Sequence, residues 1–365
     1  MKILILTQVI FPFQSPRSFR STELAKELAR TGNQVTIYAI KGEYDYTEFE
    51  NKHKIKVKNY KRFYFIKKKS FGPEKYSLIG KVLIKLFRRT LLYPSIEFLF
   101  NIPKSLKEEK DYDLVVSIGA PHSIHWGCEK AMRKIPNLSK KWIADCGDPF
   151  MGNKFENPPF YFKYLEKKFC KRADFITIPI EEAKKAYYSE YINRIQVIPQ
   201  GFDFTNVKLY SGPKLHEVKT FAFSGMVYKE HRDPTFFLDF LTKLELDFKF
   251  IVYTKDSVIF PAYKEKLKNK LEFREYIPRE DLIYELSKLD FLINFENNDS
   301  VQAPSKLIDY ALTKKPIFNV NSKGFDENTF MKLMSGEYNF ENKINVEQYD
   351  IKNVAKKFLN LIQND

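Results

Sequence analysis

Late in the chain, residues 300–318 read SVQAPSKLIDYALTKKPIF and bring Pro304, Ser305, Lys306 and Asp309 close together. A proline loses nothing by lacking an N–H at the first position of a helix, so the pattern predicts a loop, a helix opening at 304–305 and then a strand. Ser305 and Asp309 are four apart and share a helix face. Free backbone N–H groups and the helix dipole make such a start attractive to phosphate. The same residues also describe an ordinary capped helix carrying a Lys306–Asp309 surface pair. A second cation, Arg232 in KEHRDP, lies just past the strand TFAFSG and is either a phosphate ligand or a plain loop cation. Elsewhere, Asp148 in CGDPF has the chemistry to position or deprotonate a hydroxyl. An aspartate before a proline is equally a common turn residue. Asp145, three positions earlier at a strand end, suits a supporting role, and His122 in GAPHS is either a third candidate or structural.

These residues need elements to position them. KILILTQ reads as a strand buried on both faces, SFRSTELAKELARTG as a helix stopped near Gly32, and QVTIYAI as the next strand. After residue 110 the alternation resumes with strand DLVVSIG, helix 123–133, strand KWIADC, helix 160–172, strand FITIP, helix 181–190 and strand IQVIP. Periodicity lapses at 200–216, and a second series follows: strand TFAFSG, helix DPTFFLDFLTKL, strand FKFIVYT, helix PAYKEKLKN, strand LEFREYI, helix REDLIYELSKL and strand DFLINF. The fold class expected is α/β: an N-terminal doubly wound domain over 1–205, a second over 206–350, and an amphipathic helix in 351–365 able to cross back to the first domain. Ligands of such sheets bind beyond the carboxyl ends of the strands, which predicts a cleft where loops 10–17, 145–153, 225–233 and 296–304 converge.

Composition narrows the function. The 365 residues are 44% hydrophobic and 16% aromatic, which describes a globular chain. No apolar run reaches bilayer length, and Thr7 and Gln8 break the opening apolar stretch before it resembles a signal peptide. Cys128, Cys146 and Cys170 show no metal-ligand spacing and suit a reducing cytoplasm, and five scattered histidines add no metal cluster. Of the net charge of +15, a local +13 lies in residues 51–110, where 17 Lys and Arg face 4 Asp and Glu. No recognition motif accompanies it, so nucleic acid is not the expected partner.

Five stretches in order resemble GT-B glycosyltransferases of the family-four type. They are FPFQSPRSFRSTELAKELARTGNQVTIYA, KKWIADCGDPFMGN, RADFITIPIEEAKKAY with IQVIPQGFD, FAFSGMVYKEHRDPTFFLDFL, and APSKLIDYALTKKPIF. The resemblance implies two facing Rossmann-like domains and a retaining, metal-independent transfer from a nucleotide-diphosphate sugar to a lipid-linked or other cell-surface glycan. It implies that Arg232, Lys306, Ser305 and the backbone around Pro304 meet the diphosphate, that Gly225 opens the phosphate loop, and that Asp309 takes the place of a glutamate holding both ribose hydroxyls. The chain departs from the pattern at Val301, where the family's first glutamate would fall, with Glu296 and Asp299 as stand-ins out of register. In the first loop QSPRS replaces paired glycines, leaving Arg17 and Arg20 either as phosphate or acceptor ligands or as a solvated first turn. The alternatives are a nucleotide-sugar epimerase or hydrolase of the same fold, or a non-catalytic nucleotide-binding scaffold.

The basic segment has its own reading. In YSLIGKVLIKLFRRTLLY, Lys81, Lys85, Arg88 and Arg89 recur at helical spacing beside an apolar surface, as in helices that lie in an anionic membrane interface. The competing arrangement packs the apolar face on the first domain and leaves the cations solvated. With a lipid-linked acceptor, the expectation is a peripheral protein on the cytoplasmic leaflet.

Overall fold

The computed structural model describes the chain except residues 62–77, 154–157, 228–231, 256–257, 297–304, 322–323, 338–343 and 364–365; for 78–84 and Ser305 it describes the backbone only. The chain forms two compact units, Met1–Asp203 with Gln348–Asp365, and Phe204–Glu347.

Unit 1 is built on seven strands, β1 (Lys2–Leu6), β2 (Gln34–Ala39), β3 (Ile55–Asn59), β4 (Tyr112–Gly119), β5 (Ser139–Cys146), β6 (Phe175–Ile178) and β7 (Ile195–Val197). They lie in the order β3-β2-β1-β4-β5-β6-β7, every neighbouring pair parallel. A parallel sheet needs cover on both faces, and the alternation along β1 supplies two cores. Ile3 and Ile5 join Leu24, Val35, Ile37, Val116 and Phe358 on one face; Leu4 and Leu6 join Tyr38, Val115, Ile124, Trp142 and Phe169 on the other. The first face is covered by α1 (Pro16–Arg30) and α12 (Ile351–Gln363), which pack on each other. The second is covered by α4 (Phe98–Ser105), α5 (Ser123–Lys134) and α6 (Phe162–Arg172). Two further helices, α2 (Thr47–His53) and α3 (Leu78–Leu91), complete the unit. Helix α1 starts where Ser15 caps it, its Oγ accepting from the Ser18 N–H at 3.2 Å, with Pro16 at the first position.

Unit 2 has five parallel strands, β8 (Lys219–Ser224), β9 (Phe248–Tyr253), β10 (Leu271–Arg274), β11 (Phe291–Phe295) and β12 (Ile317–Val320), ordered β10-β9-β8-β11-β12. Its helices are α7 (Thr235–Lys243), α8 (Lys264–Leu267), α9 (Arg279–Ser287), α10 (Ser305–Leu312) and α11 (Glu327–Ser335). One face of the sheet is packed with phenylalanine, Phe221 stacking on Phe291 with ring centroids 4.7 Å apart amid Phe223, Phe237, Phe250 and Phe330. The other is aliphatic, with Ala222, Ile251, Leu286 and Leu292 under Tyr310.

Three expected elements differ. Residues 181–190 form two short 3-10 turns, Glu181–Ala186 and Ser189–Arg194, rather than a helix. Ala183 and Tyr187 still reach the core, with Ala186, Tyr191 and Ile192 packed against it, so the segment is anchored without a continuous helix. The helix expected over PAYKEKLKN is broken into a 3-10 turn, the four-residue α8 and a further 3-10 turn, and the strand LEFREYI stops at Arg274.

Candidate active site

In unit 2 the strand order reverses between β8 and β11, the place where a doubly wound sheet opens a crevice. Strand β8 ends at Ser224, whose N–H donates to Tyr310 Oη at 2.7 Å and so ties α10 to the strand end. Gly225 follows with φ +131°, a conformation that side chains disfavour, and its N–H donates to the Tyr253 carbonyl. Beside it, in the first turn of α10, Lys306 lays its amine 4.4 Å from the ring centre of Phe223. That nitrogen is buried and has no hydrogen-bond partner among the described residues. Burial, with the like charge of Arg232 added, pushes its pKa down to about 6. Arg232 donates to the Met226 carbonyl at 3.4 Å. The fold thus brings Gly225, Arg232 and Lys306 together at one strand end. Pro304, Val301 and Asp299 lie outside the described residues, as does the side chain of Ser305.

Asp309 sits one turn further along α10. The Lys306–Asp309 surface pair does not form: Lys306 turns onto Phe223, and Asp309 Oδ1 accepts from Arg279 Nε at 2.8 Å with Nη2 at 2.5 Å. Burial raises the Asp309 carboxyl and Arg279 only partly offsets it. Arg279, at the start of α9, is a partner that the sequence offers no signal for. Glu296, just past β11, is half-buried and its N–H donates to the Val320 carbonyl.

In unit 1 the reversal lies between β1 and β4. Arg20, read from sequence as a phosphate ligand or a solvated residue, is neither. It is 4% exposed and grips Asp145 with Nε–Oδ2 at 2.9 Å and Nη2–Oδ1 at 2.6 Å, while also donating to the carbonyls of Ile198 and Pro199. Thr177 donates to Asp145 Oδ1 at 2.6 Å. Burial would raise the Asp145 carboxyl, but Arg20 and Thr177 outweigh it and hold it below its usual value. Both oxygens of Asp145 are engaged, so it joins β5, β6 and α1 rather than facing a ligand. Arg17, one turn before Arg20, reaches Asp148 instead, with Nη2–Oδ2 at 2.8 Å. Its guanidinium lies flush against Gly147, where any Cβ would collide with it.

His122 stands behind Asp148. Its Nε2 is 3.0 Å from the Asp148 carbonyl, which can only accept, so Nε2 carries the proton. Burial pushes the imidazole down to about 4, leaving a neutral ring whose Nδ1 is buried without a partner among the described residues. His122 therefore orients the Asp148 backbone. The fold also gathers His122, His125 and Cys146, whose potential ligand atoms lie within 4.8 Å of one another, although their spacing in sequence gives no metal signal. His125 is held through Nδ1 by Ser117 Oγ at 2.8 Å, and its Nε2 sits 3.5 Å from Cys146 Sγ. A Cβ on Gly119 would lie 2.6 Å from that Nε2, so main chain fills the space beside it. Within the group, hydrogen bonds hold His125 to Ser117 and to Cys146, while His122 bonds outward to Asp148.

A cavity of about 460 Å³ opens at the carboxyl ends of β1–β4. Its polar walls are Gln8, Ser15, Arg17, Ser95, Glu97 and Asn101, and Phe98 and Pro121 are among its apolar ones. Glu97 and Asn101 come from the turn before α4 and from α4 itself, and nothing in the sequence marks them as site residues.

No protein-family model matches the chain, and no curated protein matches it in sequence. Solved structures match it over its full length. The lipopolysaccharide outer core galactosyltransferase WaaB, in its apo form, is 14% identical with a TM-score of 0.61, covering 100% of this chain and 99% of that one. Anabaena Alr3699/HepE in complex with UDP is 11% identical with a TM-score of 0.62, covering 100% of both. The UDP-GlcNAc 2-epimerase from Methanocaldococcus jannaschii is 11% identical with a TM-score of 0.56, again covering 100% of both. The fold is therefore GT-B, as the sequence resemblance implies.

Proposed function

We propose that this protein is a metal-independent, retaining glycosyltransferase that moves a sugar from a nucleotide-diphosphate donor held by unit 2 to a glycan acceptor taken by unit 1. The observation that carries this is the buried amine of Lys306, without a hydrogen-bond partner among the described residues, beside Arg232 at the β8 strand end. An amine held there against desolvation and a like charge is most simply explained by an anion that completes the site. A diphosphate leaving group fits, because the charge that builds on it as the sugar departs is what two cations and a helix start stabilise. Asp309, held through Oδ1 by Arg279, takes the ribose hydroxyls. In unit 1, Asp148 positions the acceptor hydroxyl, with Arg17 and His122 setting its place, and the cavity between Gln8 and Asn101 takes the acceptor glycan. The exposed cations Lys85, Arg88 and Arg89 of α3 support a lipid-linked acceptor on an anionic membrane surface; the side chain of Lys81 lies outside the described residues. Among the described residues no helix is long and apolar enough to cross a membrane. The likeness to a 2-epimerase favours a second reading, a nucleotide-sugar epimerase that needs no acceptor.

A thermal-shift panel of nucleoside diphosphates and their sugars, run with and without EDTA, tests the proposal, since a ligand bound only by the folded state raises its melting temperature. Stabilisation by one diphosphate series, unaffected by chelation and followed by acceptor-dependent release of nucleotide, is the expected result. Binding that needs a divalent ion removes the metal-independent reading, and acceptor-independent conversion of the sugar installs the epimerase.

A further inference from the structure

The start of α6 and the two residues before it carry an aromatic edge that unit 1 leaves in solvent. Phe160 is 83% exposed and Tyr164 68% exposed, and the ring of Tyr161 lies 5.6 Å from that of Phe160. Rings of this size in water mark a surface that something covers. The edge is continuous with α3, because Tyr161 Oη donates to the Thr90 carbonyl in that helix's last turn. There Leu86 and Leu91 are exposed beside the exposed Lys85, Arg88 and Arg89. On its other side, Lys168 sits 5.3 Å over the Tyr164 ring and joins Lys130 and Arg133 around a groove of about 180 Å³. The acid in that groove, Glu129, is buried and lies 3.6 Å from Arg133.

Rings interleaved with cations along one strip have the chemistry of a bilayer interface: apolar bodies enter the headgroup layer while the charges meet lipid phosphates. We infer that this strip docks on an anionic bilayer, with Phe160 and Tyr164 inserting and the cations of α3, α5 and α6 contacting headgroups. The inference rests on the membrane part of the proposed function and adds to it the element that enters the lipid. Pro94 and Ser95, three and four residues past the end of α3, line the cavity of unit 1, so docking here sets that cavity beside the membrane. A glycan could then enter it while its lipid stays in the bilayer.

The test is co-sedimentation of the full chain with vesicles of phosphatidylglycerol and phosphatidylcholine, and of phosphatidylcholine alone, at low and high salt. The wild type is expected to bind only the anionic vesicles. Phe160→Ser with Tyr164→Ser is expected to weaken that binding about tenfold or more, the effect of withdrawing large apolar side chains from lipid. The triple change of Lys85, Arg88 and Arg89 to Gln should instead remove the salt-sensitive part. Unchanged melting and nucleotide binding show that the variants fold. If the aromatic variant binds as tightly as wild type, the insertion edge is refuted and the α3 reading stands. If the wild type binds neither vesicle, or both equally, the docking surface is refuted together with the anionic-membrane reading, while nucleotide binding still decides the catalytic one.

Discussion

Lys306 and Arg20 show how differently one fold treats two buried cations. Arg20 meets a carboxylate with matched geometry on both nitrogens, whereas Lys306 meets an aromatic face and another cation. Its folded pKa, about 6, lies below its unfolded value, so the unfolded chain binds a proton that the folded chain sheds. The resulting destabilisation is full below that pKa and fades as pH rises toward the unfolded value. A bound diphosphate reverses the balance by raising the pKa of the amine, so binding at mildly alkaline pH must take up a proton. Calorimetry of the best nucleotide in two buffers of different ionisation heat is expected to show uptake of about one proton near pH 8 in the wild type and little in Lys306→Gln. Equal uptake in both would remove Lys306 from the site. The types and spacing of Lys306, Arg232 and Asp309 could be read in the sequence, but their partners could not. Phe223 under the lysine, Arg279 on the aspartate and Asp145 on Arg20 are 83, 30 and 125 positions away in the chain.

Among the helices, the contact that shapes the cavity is that of α4 on α5. A Cβ on Gly127 of α5 would overlap the Phe98 carbonyl oxygen and lie 2.9 Å from Ile102 Cδ1, so glycine is what lets α4 approach. Helix α4 carries Phe98 and Asn101 into the cavity wall. Gly127→Ala is expected to cost about 1–3 kcal/mol by overpacking, measured by denaturant unfolding, and to displace that wall. Unchanged stability would show that α4 yields without strain. The strands and α1 are legible because buried parallel strands are continuous apolar runs and α1 is both capped and periodic. Residues 181–190 read as helical in the sequence, but the chain reaches the core there through Ala183 and Tyr187 in two short 3-10 turns instead.

At the level of the whole chain, α12 is the last helix in sequence and belongs to the first unit in space. Ile351, Val354 and Phe358 enter the core beside α1, with Phe358 under the Arg20 guanidinium at 5.4 Å. Each such side chain contributes about 1.5–3 kcal/mol when fully buried, a large share of the 5–15 kcal/mol that typically holds a domain. Deleting residues 348–365 is therefore expected to abolish the cooperative melting of unit 1 by circular dichroism and to expose β1 and β4 to hydrogen exchange. A truncated chain that melts like the full one would show that α12 is dispensable.

Read as a string, this chain discloses two βα series, the local concentration of positive charge and the phosphate-suited helix start at 304–306, because periodicity, composition and helix-end chemistry act between residues close in sequence. It does not disclose which charges are spent. Asp145 and Arg20 neutralise each other, Asp148 turns to Arg17, and Lys306 is left without a partner among the described residues. Nor does it disclose the cavity wall of Glu97 and Asn101 or the aromatic edge at Phe160 and Tyr164. Those outcomes depend on which distant segments the sheet order makes neighbours, and on how much water the packing leaves around each group, quantities that exist only once the chain is folded.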